Sequence, residues 1–207
     1  FEFEAAGVGA DLAAMQARKR EVIREFAEYR QGQLADGRFS LYRSRASFRD
    51  ARSMELADGS ALEADKILVA TGSTPRVPNL PGLFDVPFRT SDDVLELEEV
   101  PEEVVVLGGG VVACELGQFL ARVGARVTMI QRSPHLLKEF SPEASAFVEQ
   151  AFRDEGMELF LGASLAGFEN LPDGKVRVRF SQDGESVTRD TGYLFNALGR
   201  RPAAEGL

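Results

Sequence analysis

The 207-residue chain carries 24 Lys and Arg against 33 Asp and Glu, a formal net charge of −9, with 44% hydrophobic and 28% charged residues. That balance suits a globular protein of one or two domains, and it argues against nucleic acid or an anionic membrane as partner, because phosphates call for a cationic face. A single cysteine, Cys114, excludes an intramolecular disulfide framework and a cysteine zinc cluster; no metal site is expected, the apolar runs at 67–70 and 104–107 are too short to cross a bilayer, and with no signal-like start the cytoplasm is the expected compartment.

Residues 12–35 read as one long helix. Met15, Val22, Ile23, Phe26 and Tyr29 share a face at helical spacing, charged residues occupy most of the rest, and Gly37 ends the run. The basic stretch ARKRE fits a solvated helix face better than an RNA contact in so acidic a chain. From 39 to 70 the period shifts towards two. FSLYRSRASF alternates, DARSMEL follows, Asp58-Gly59 supplies a hairpin turn, and ADKILVA is expected to end in a fully buried strand. ATGSTPRVPNLPG then stops regular structure. SDDVLELEEVP, residues 91–101, reads as a short acidic helix or turn with its N-cap at Ser91, connecting two units.

From residue 102 onwards the pattern is strand at 104–107, helix at 111–123, strand at 126–130, helix at 142–155 and strand at 157–161. This βαβαβ order implies a parallel sheet with right-handed crossovers. LAGFENL, KVRVRFSQDGESVTRD and YLFNALG add a β-meander, turning at Asp173-Gly174 and Asp183-Gly184, and one more strand. The expected fold class is α/β: a Rossmann-like βαβ nucleotide-binding domain with a β-meander at 102–207, a connector at 91–101, and a first unit of long helix and β-meander at 1–90.

The most informative stretch is VVVLGGGVVACELG, residues 104–117. A strand runs into Gly108-Gly109-Gly110 and a helix opens with Val111, Val112 and Ala113, giving G-x-G-x-x-A. In that order the first glycine permits the sharp turn, the second lets a pyrophosphate approach the backbone, and a small third residue lets helix and sheet pack closely. The helix N-terminus adds unpaired N–H groups, so an acidic protein can still bind an anion. A lone glycine motif is weak evidence; heading a βαβ unit makes it a site candidate. At the end of the second strand, where an NAD-type site carries a carboxylate for the ribose, this chain has Gln131-Arg132-Ser133. Arg132 suits a 2′-phosphate, so NADPH is favoured over NADH. His135 and Lys138, just beyond, serve equally well as plain loop residues.

Three segments together resemble the pyridine nucleotide-disulfide oxidoreductases, in the group holding dihydrolipoamide dehydrogenase, mercuric reductase and glutathione reductase. ILVATGSTPRVPNLPG is similar to the second flavin-contacting strand and turn of that family. VVVLGGGVVACELGQFLARVGARVTMIQRSPHLL is similar to its NAD(P) domain core, and FNALGRRPAAEGL to the segment leading back into the flavin domain. The resemblance covers nearly the whole chain. It implies that residues 1–90 are part of an FAD-binding domain, with Ala70, Thr71 and Gly72 approaching the flavin. Gly108, Gly110, Val111, Val112, Ala113, Gln131 and Arg132 would hold the nicotinamide dinucleotide. Glu115 matches a glutamate near the flavin, and Gly199 and Arg200 the step lining the groove between nicotinamide and flavin. Val111 stands where several relatives carry a gating tyrosine.

The family's first glycine turn, its redox cysteine pair and its C-terminal dimerisation domain are not found in the sequence. With Phe1 first and GRRPAAEGL last, the chain reads as an internal fragment with no catalytic residue of its own. Cys114, alone and one turn into a helix, fits an inert small hydrophobe. The resemblance implies FAD in the intact protein, a homodimer, and hydride transfer from NAD(P)H to flavin and on to a disulfide or similar acceptor. Two other classes stay open: a dinucleotide-binding module without chemistry, and a flavin oxidoreductase without a dithiol, of the NADH oxidase or ferredoxin-reductase type.

Overall fold

A computed structural model describes residues 11–207. The described residues form two compact units, one comprising Ala17–Thr74 with Arg200–Leu207, the other containing Pro75–Gly199 and residues 11–16. Residues 75–101 join the larger unit because Leu83 and Val94 are fully buried there and Arg89 exchanges hydrogen bonds with a sheet strand, donating to Leu194 O and accepting from Asn196 N–H, both at 2.7 Å.

In the smaller unit, α1 (Leu12–Leu34) continues from its first turn, and its apolar residues Ile23, Phe26 and Tyr29 lie exposed. Strands β1 (Ala46–Phe48), β2 (Ser53–Leu56) and β3 (Ala61–Glu63) form an antiparallel meander in the order β1-β2-β3. The β2–β3 turn is made at Asp58-Gly59, with Gly59 at φ +83. Of FSLYRSRASF only the last three residues are strand. The buried strand expected in ADKILVA does not form: no described strand pairs with residues 66–70, and Leu68 and Val69 are 89% and 50% exposed. A run of branched residues becomes a buried strand only where another strand takes its N–H and C=O groups. β4 (Ser73–Pro75) and β12 (Arg200–Pro202) form a two-stranded sheet, in which Arg200 donates to Ser73 Oγ and O at 2.7 Å each.

In the larger unit, a single 3-10 turn (Leu83–Asp85) precedes α2 (Ser91–Val94). The N-cap of α2 is Thr90, not Ser91: the Asp93 carboxylate accepts from Thr90 N–H at 2.7 Å and from its hydroxyl at 2.9 Å. This reciprocal pairing of the cap with the third helical residue outcompetes a serine one place on. Then follow β5 (Glu103–Leu107), α3 (Val111–Arg122), β6 (Arg126–Gln131), α4 (Pro142–Asp154) and β7 (Glu158–Leu161). β8 (Ser164–Asn170), β9 (Val176–Gln182) and β10 (Glu185–Thr191) make the antiparallel meander, and β11 (Tyr193–Asn196) returns to the sheet.

The sheet order is β11-β5-β6-β7 with every pair parallel, so the central strand β5 must be apolar on both faces. Val104 and Val106 join a core with Ala113, Leu120, Met129, Phe152 and Phe195, while Val105 and Leu107 join a second with Ile130, Phe168, Val178 and Phe180. The continuous VVVL run thus serves two layers, helices α3 and α4 on one side and the meander on the other. α4 is capped by Ser141, whose hydroxyl accepts from Ala144 N–H at 3.2 Å, with Pro142 at its first position.

Candidate dinucleotide-binding turn

The three glycines at the end of β5 stand in three different environments. Gly108 has φ +116, and a Cβ added there would lie 2.5 Å from Ala197 O. Both the backbone and the neighbouring strand end therefore demand glycine. At Gly109 an added Cβ would lie 2.7 Å from Cδ2 of the fully buried Leu136 and 3.0 Å from Gln131. Gly110 is the N-cap of α3, with φ −82 and ψ −177, a conformation open to any residue, and among the described residues an added Cβ would meet no atom within 4 Å beyond its immediate chain neighbours. None of the described residues requires glycine at position 110; a side chain there would fill the space over the helix N-terminus, where a phosphate close to the backbone would sit.

Behind the turn, Ala113 is fully buried against the sheet, and one helical turn on a Cβ added at Gly117 would lie 3.6–3.8 Å from side-chain atoms of Met157, Met129 and Val106. The pair of small residues lets α3 approach β5 closely. Val111 and Glu115 are exposed on the helix, and Val112 is half-buried. Cys114 is buried, with Sγ 3.7 Å from Gly109 O. Burial first, and then the Glu115 and Glu149 charges, push its thiol up to about 12, so no thiolate forms at neutral pH.

At the end of β6, Gln131 is half-buried beside Gly109, and its Oε1 accepts from Arg132 N–H at 3.1 Å while the Arg132 side chain is exposed. After β11, Ala197 N–H donates to Leu107 O at 2.9 Å, and Gly199 O accepts from Arg76 N–H at 2.9 Å. Gly108, Gly109, Gly110, Gln131, Arg132 and Ala197 thus gather at the C-terminal edge of the parallel sheet, where open α/β sheets bind ligands. Of the remaining expected residues, Gly199 is in this unit. Arg200 belongs to the other, as do Ala70, Thr71 and Gly72, all exposed, with Gly72 at φ +79 and its carbonyl accepting from Ala203 N–H at 3.0 Å.

Reading the sequence alone assigned no role to Gly109, Asn196, Ser145 or Glu149. Asn196 is 3% exposed, donates to Arg76 O at 3.0 Å and accepts from Leu198 N–H at 3.2 Å, tying down the loop after β11. Its interruption of the apolar run YLF was the one visible signal. Among the described residues no cluster of potential metal ligands occurs, and no helix is long and apolar enough to cross a membrane.

A parallel βαβ unit whose glycine turn opens on an uncrowded helix N-terminus defines a dinucleotide-fold architecture. Comparison with known proteins makes this specific. The family profile described as pyridine nucleotide-disulphide oxidoreductase matches residues 4–207, and the chain belongs to that family. It is 34% identical over 198 residues to a mercuric reductase of Lysinibacillus sphaericus, covering 95% of this chain and 36% of that protein. It is 30% identical over 208 residues to a dihydrolipoyl dehydrogenase of Geobacillus stearothermophilus, covering 99% of this chain and 44% of that one. The solved Cu(II) complex of the HOCl-induced flavoprotein disulfide reductase RclA from Escherichia coli superposes with a TM-score of 0.83 at 25% identity, over 96% of this chain and 45% of that structure. The chain spans less than half the length of these relatives.

Proposed function

We propose that this chain is the NAD(P)-binding part of an FAD-dependent NAD(P)H oxidoreductase and that, on its own, it binds the nucleotide without turnover. The observation that carries the reading is Gly110: neither its backbone angles nor any protein neighbour calls for a glycine, and its missing side chain leaves room at a helix N-terminus. The similarity to mercuric reductases and dihydrolipoyl dehydrogenases supports the oxidoreductase assignment.

When bound, a reduced nicotinamide supplies a hydride that the flavin of an intact enzyme passes on to a disulfide or similar acceptor. The residues of this chain would bind and orient. Gly108, Gly110 and the first N–H groups of α3, from Val111 to Ala113, would hold the pyrophosphate. Gln131 and Arg132 would flank the adenosine ribose, with Arg132 pairing a 2′-phosphate and so favouring NADPH. By the family resemblance, Glu115, Gly199 and Arg200 would lie on the nicotinamide side, and Ala70, Thr71 and Gly72 would contribute to the FAD site of an intact, homodimeric, cytoplasmic enzyme.

Fluorescence titration with NADPH and NADH tests the reading. NADPH is expected to bind more tightly, and Arg132→Ala to remove most of the difference; equal affinities in the unaltered chain would refute the NADPH preference. For flavin, a yellow preparation with flavin absorbance would contradict the proposal that the chain alone holds no FAD.

A further inference from the structure

The loop between β6 and α4 contains a residue held in an unfavourable conformation beside the glycine turn. Leu137 has φ +49, the left-handed region that a branched side chain adopts only when its surroundings impose it. The surroundings are two buried polar side chains of α4. Glu149, 6% exposed, accepts from Leu136 N–H at 2.9 Å, and Ser145, 1% exposed, places its hydroxyl 3.5 Å from Leu137 O. His135 Nδ1 and Arg153 face the same carboxylate at 3.3 and 4.0 Å. Held this way, Leu137 donates its own N–H to Gly109 O at 2.7 Å.

That last bond orients the glycine turn. The Gly109–Gly110 peptide is planar and trans, so a carbonyl fixed towards Leu137 points the Gly110 N–H the opposite way. Gly110 is the N-cap of α3, and its N–H direction decides whether the turn presents a donor to a phosphate. We infer that Glu149 is a positioning residue for the pyrophosphate site, acting through Leu136 and Leu137 on the Gly109–Gly110 peptide. The inference rests on the nucleotide reading proposed above. It requires the length of the glutamate side chain and an acceptor oxygen at its end, and it does not require the charge.

The test compares Glu149→Leu, Glu149→Asp and Glu149→Gln in the whole chain, by titration with ADP-ribose and NADPH well below the melting temperature of each variant. Loss of the acceptor leaves the buried Leu136 N–H unpaired, so Glu149→Leu is expected to weaken both ligands by about tenfold. Glu149→Asp, too short to reach Leu136, should behave like it, while Glu149→Gln should bind within about twofold of the unaltered chain. A purely structural role would lower the melting temperature and leave these affinities in place. If Glu149→Leu does not fold, the contrast between Asp and Gln decides. Unchanged affinity in the Asp variant, or a Gln variant as weak as Leu, overturns the inference while leaving the nucleotide reading intact. Failure of the unaltered chain to bind either ligand overturns both.

Discussion

Replacing Gly110 by alanine separates what the fold needs from what a ligand needs. The φ and ψ of −82 and −177 suit alanine, and among the described residues the added methyl meets no atom within 4 Å beyond its chain neighbours. Two small effects on stability oppose each other: alanine loses less backbone entropy on folding, worth about 0.4–1 kcal/mol, and is a poorer N-cap than glycine by a similar amount. The net change in unfolding free energy is therefore expected to stay within about 1 kcal/mol. The methyl would occupy the space over the first N–H groups of α3, and a misfit of one carbon against a rigid pyrophosphate costs about 1.5–3 kcal/mol, or roughly ten- to hundredfold in affinity. Gly108→Ala is the opposite case. There φ is +116 and the new Cβ would sit 2.5 Å from Ala197 O, so a loss of about 2 kcal/mol or more and a melting point lower by roughly 4–8 °C are expected. The assay is urea unfolding and nucleotide titration on all three proteins. Gly110→Ala binding nucleotide as well as the unaltered chain would refute the reasoning, and Gly110→Ala unfolding as easily as Gly108→Ala would show that the glycine serves the fold.

Two further predictions follow from individual side chains. Cys114, buried and with its thiol pushed up to about 12, should react with iodoacetamide at pH 8 at least about tenfold more slowly in the native chain than in urea; equal rates would show that the site opens readily. Arg189 grips the Glu158 carboxylate with two nitrogens and lies over the Phe160 ring, 4.7 Å from its centroid. Hydrogen bonds from Arg189 and then Thr128 hold the Glu158 carboxyl below its ordinary value of 4.5. A lowered folded-state value means that the pair's stabilisation is present above the unfolded pKa and lost as pH falls through the folded one. With both side chains more than a third exposed, at 35% and 44%, screening keeps that contribution below about 1 kcal/mol. The stability gap between the unaltered chain and Arg189→Gln should therefore shrink between pH 7 and pH 3, leaving the ring contact; a gap that stays constant would remove the ion pair from the account.

The parallel sheet was legible because a strand buried on both faces has a distinctive composition, and the run of residues 104–107 followed by three glycines has few other uses. Turn chemistry at Asp58-Gly59, Asp173-Gly174 and Asp183-Gly184 was equally local and equally readable. The failure at residues 66–70 has a definite cause. An apolar run states that burial would be favourable, but only a neighbouring strand makes it possible, and no described strand supplies the pairing. Helix α1 shows the same limit: helical spacing puts its apolar residues on one face, yet Ile23, Phe26 and Tyr29 stay exposed.

Within the candidate site, the glycines and the strand ends were visible in the sequence, and the support behind them was not. Nothing in the sequence marks Glu149 as a buried residue of its helix. Its carboxylate accepts from Leu136 N–H, 13 residues away, and the adjacent Leu137 N–H donates to Gly109 O, 28 residues earlier in the chain. Nor does any propensity place a leucine at positive φ. Such features arise from contacts between elements, and single-residue preferences carry no trace of them.

The central claim is that the turn from Gly108 to Ala113 binds a pyridine dinucleotide. Calorimetric titration of the unaltered chain with NADPH, competed by ADP-ribose, tests it most directly. Saturable binding at a single site per chain, displaced by ADP-ribose and weakened in Gly110→Ala, is the predicted result. No saturable heat at nucleotide concentrations up to about 1 mM, where even weak specific sites fill, would contradict it.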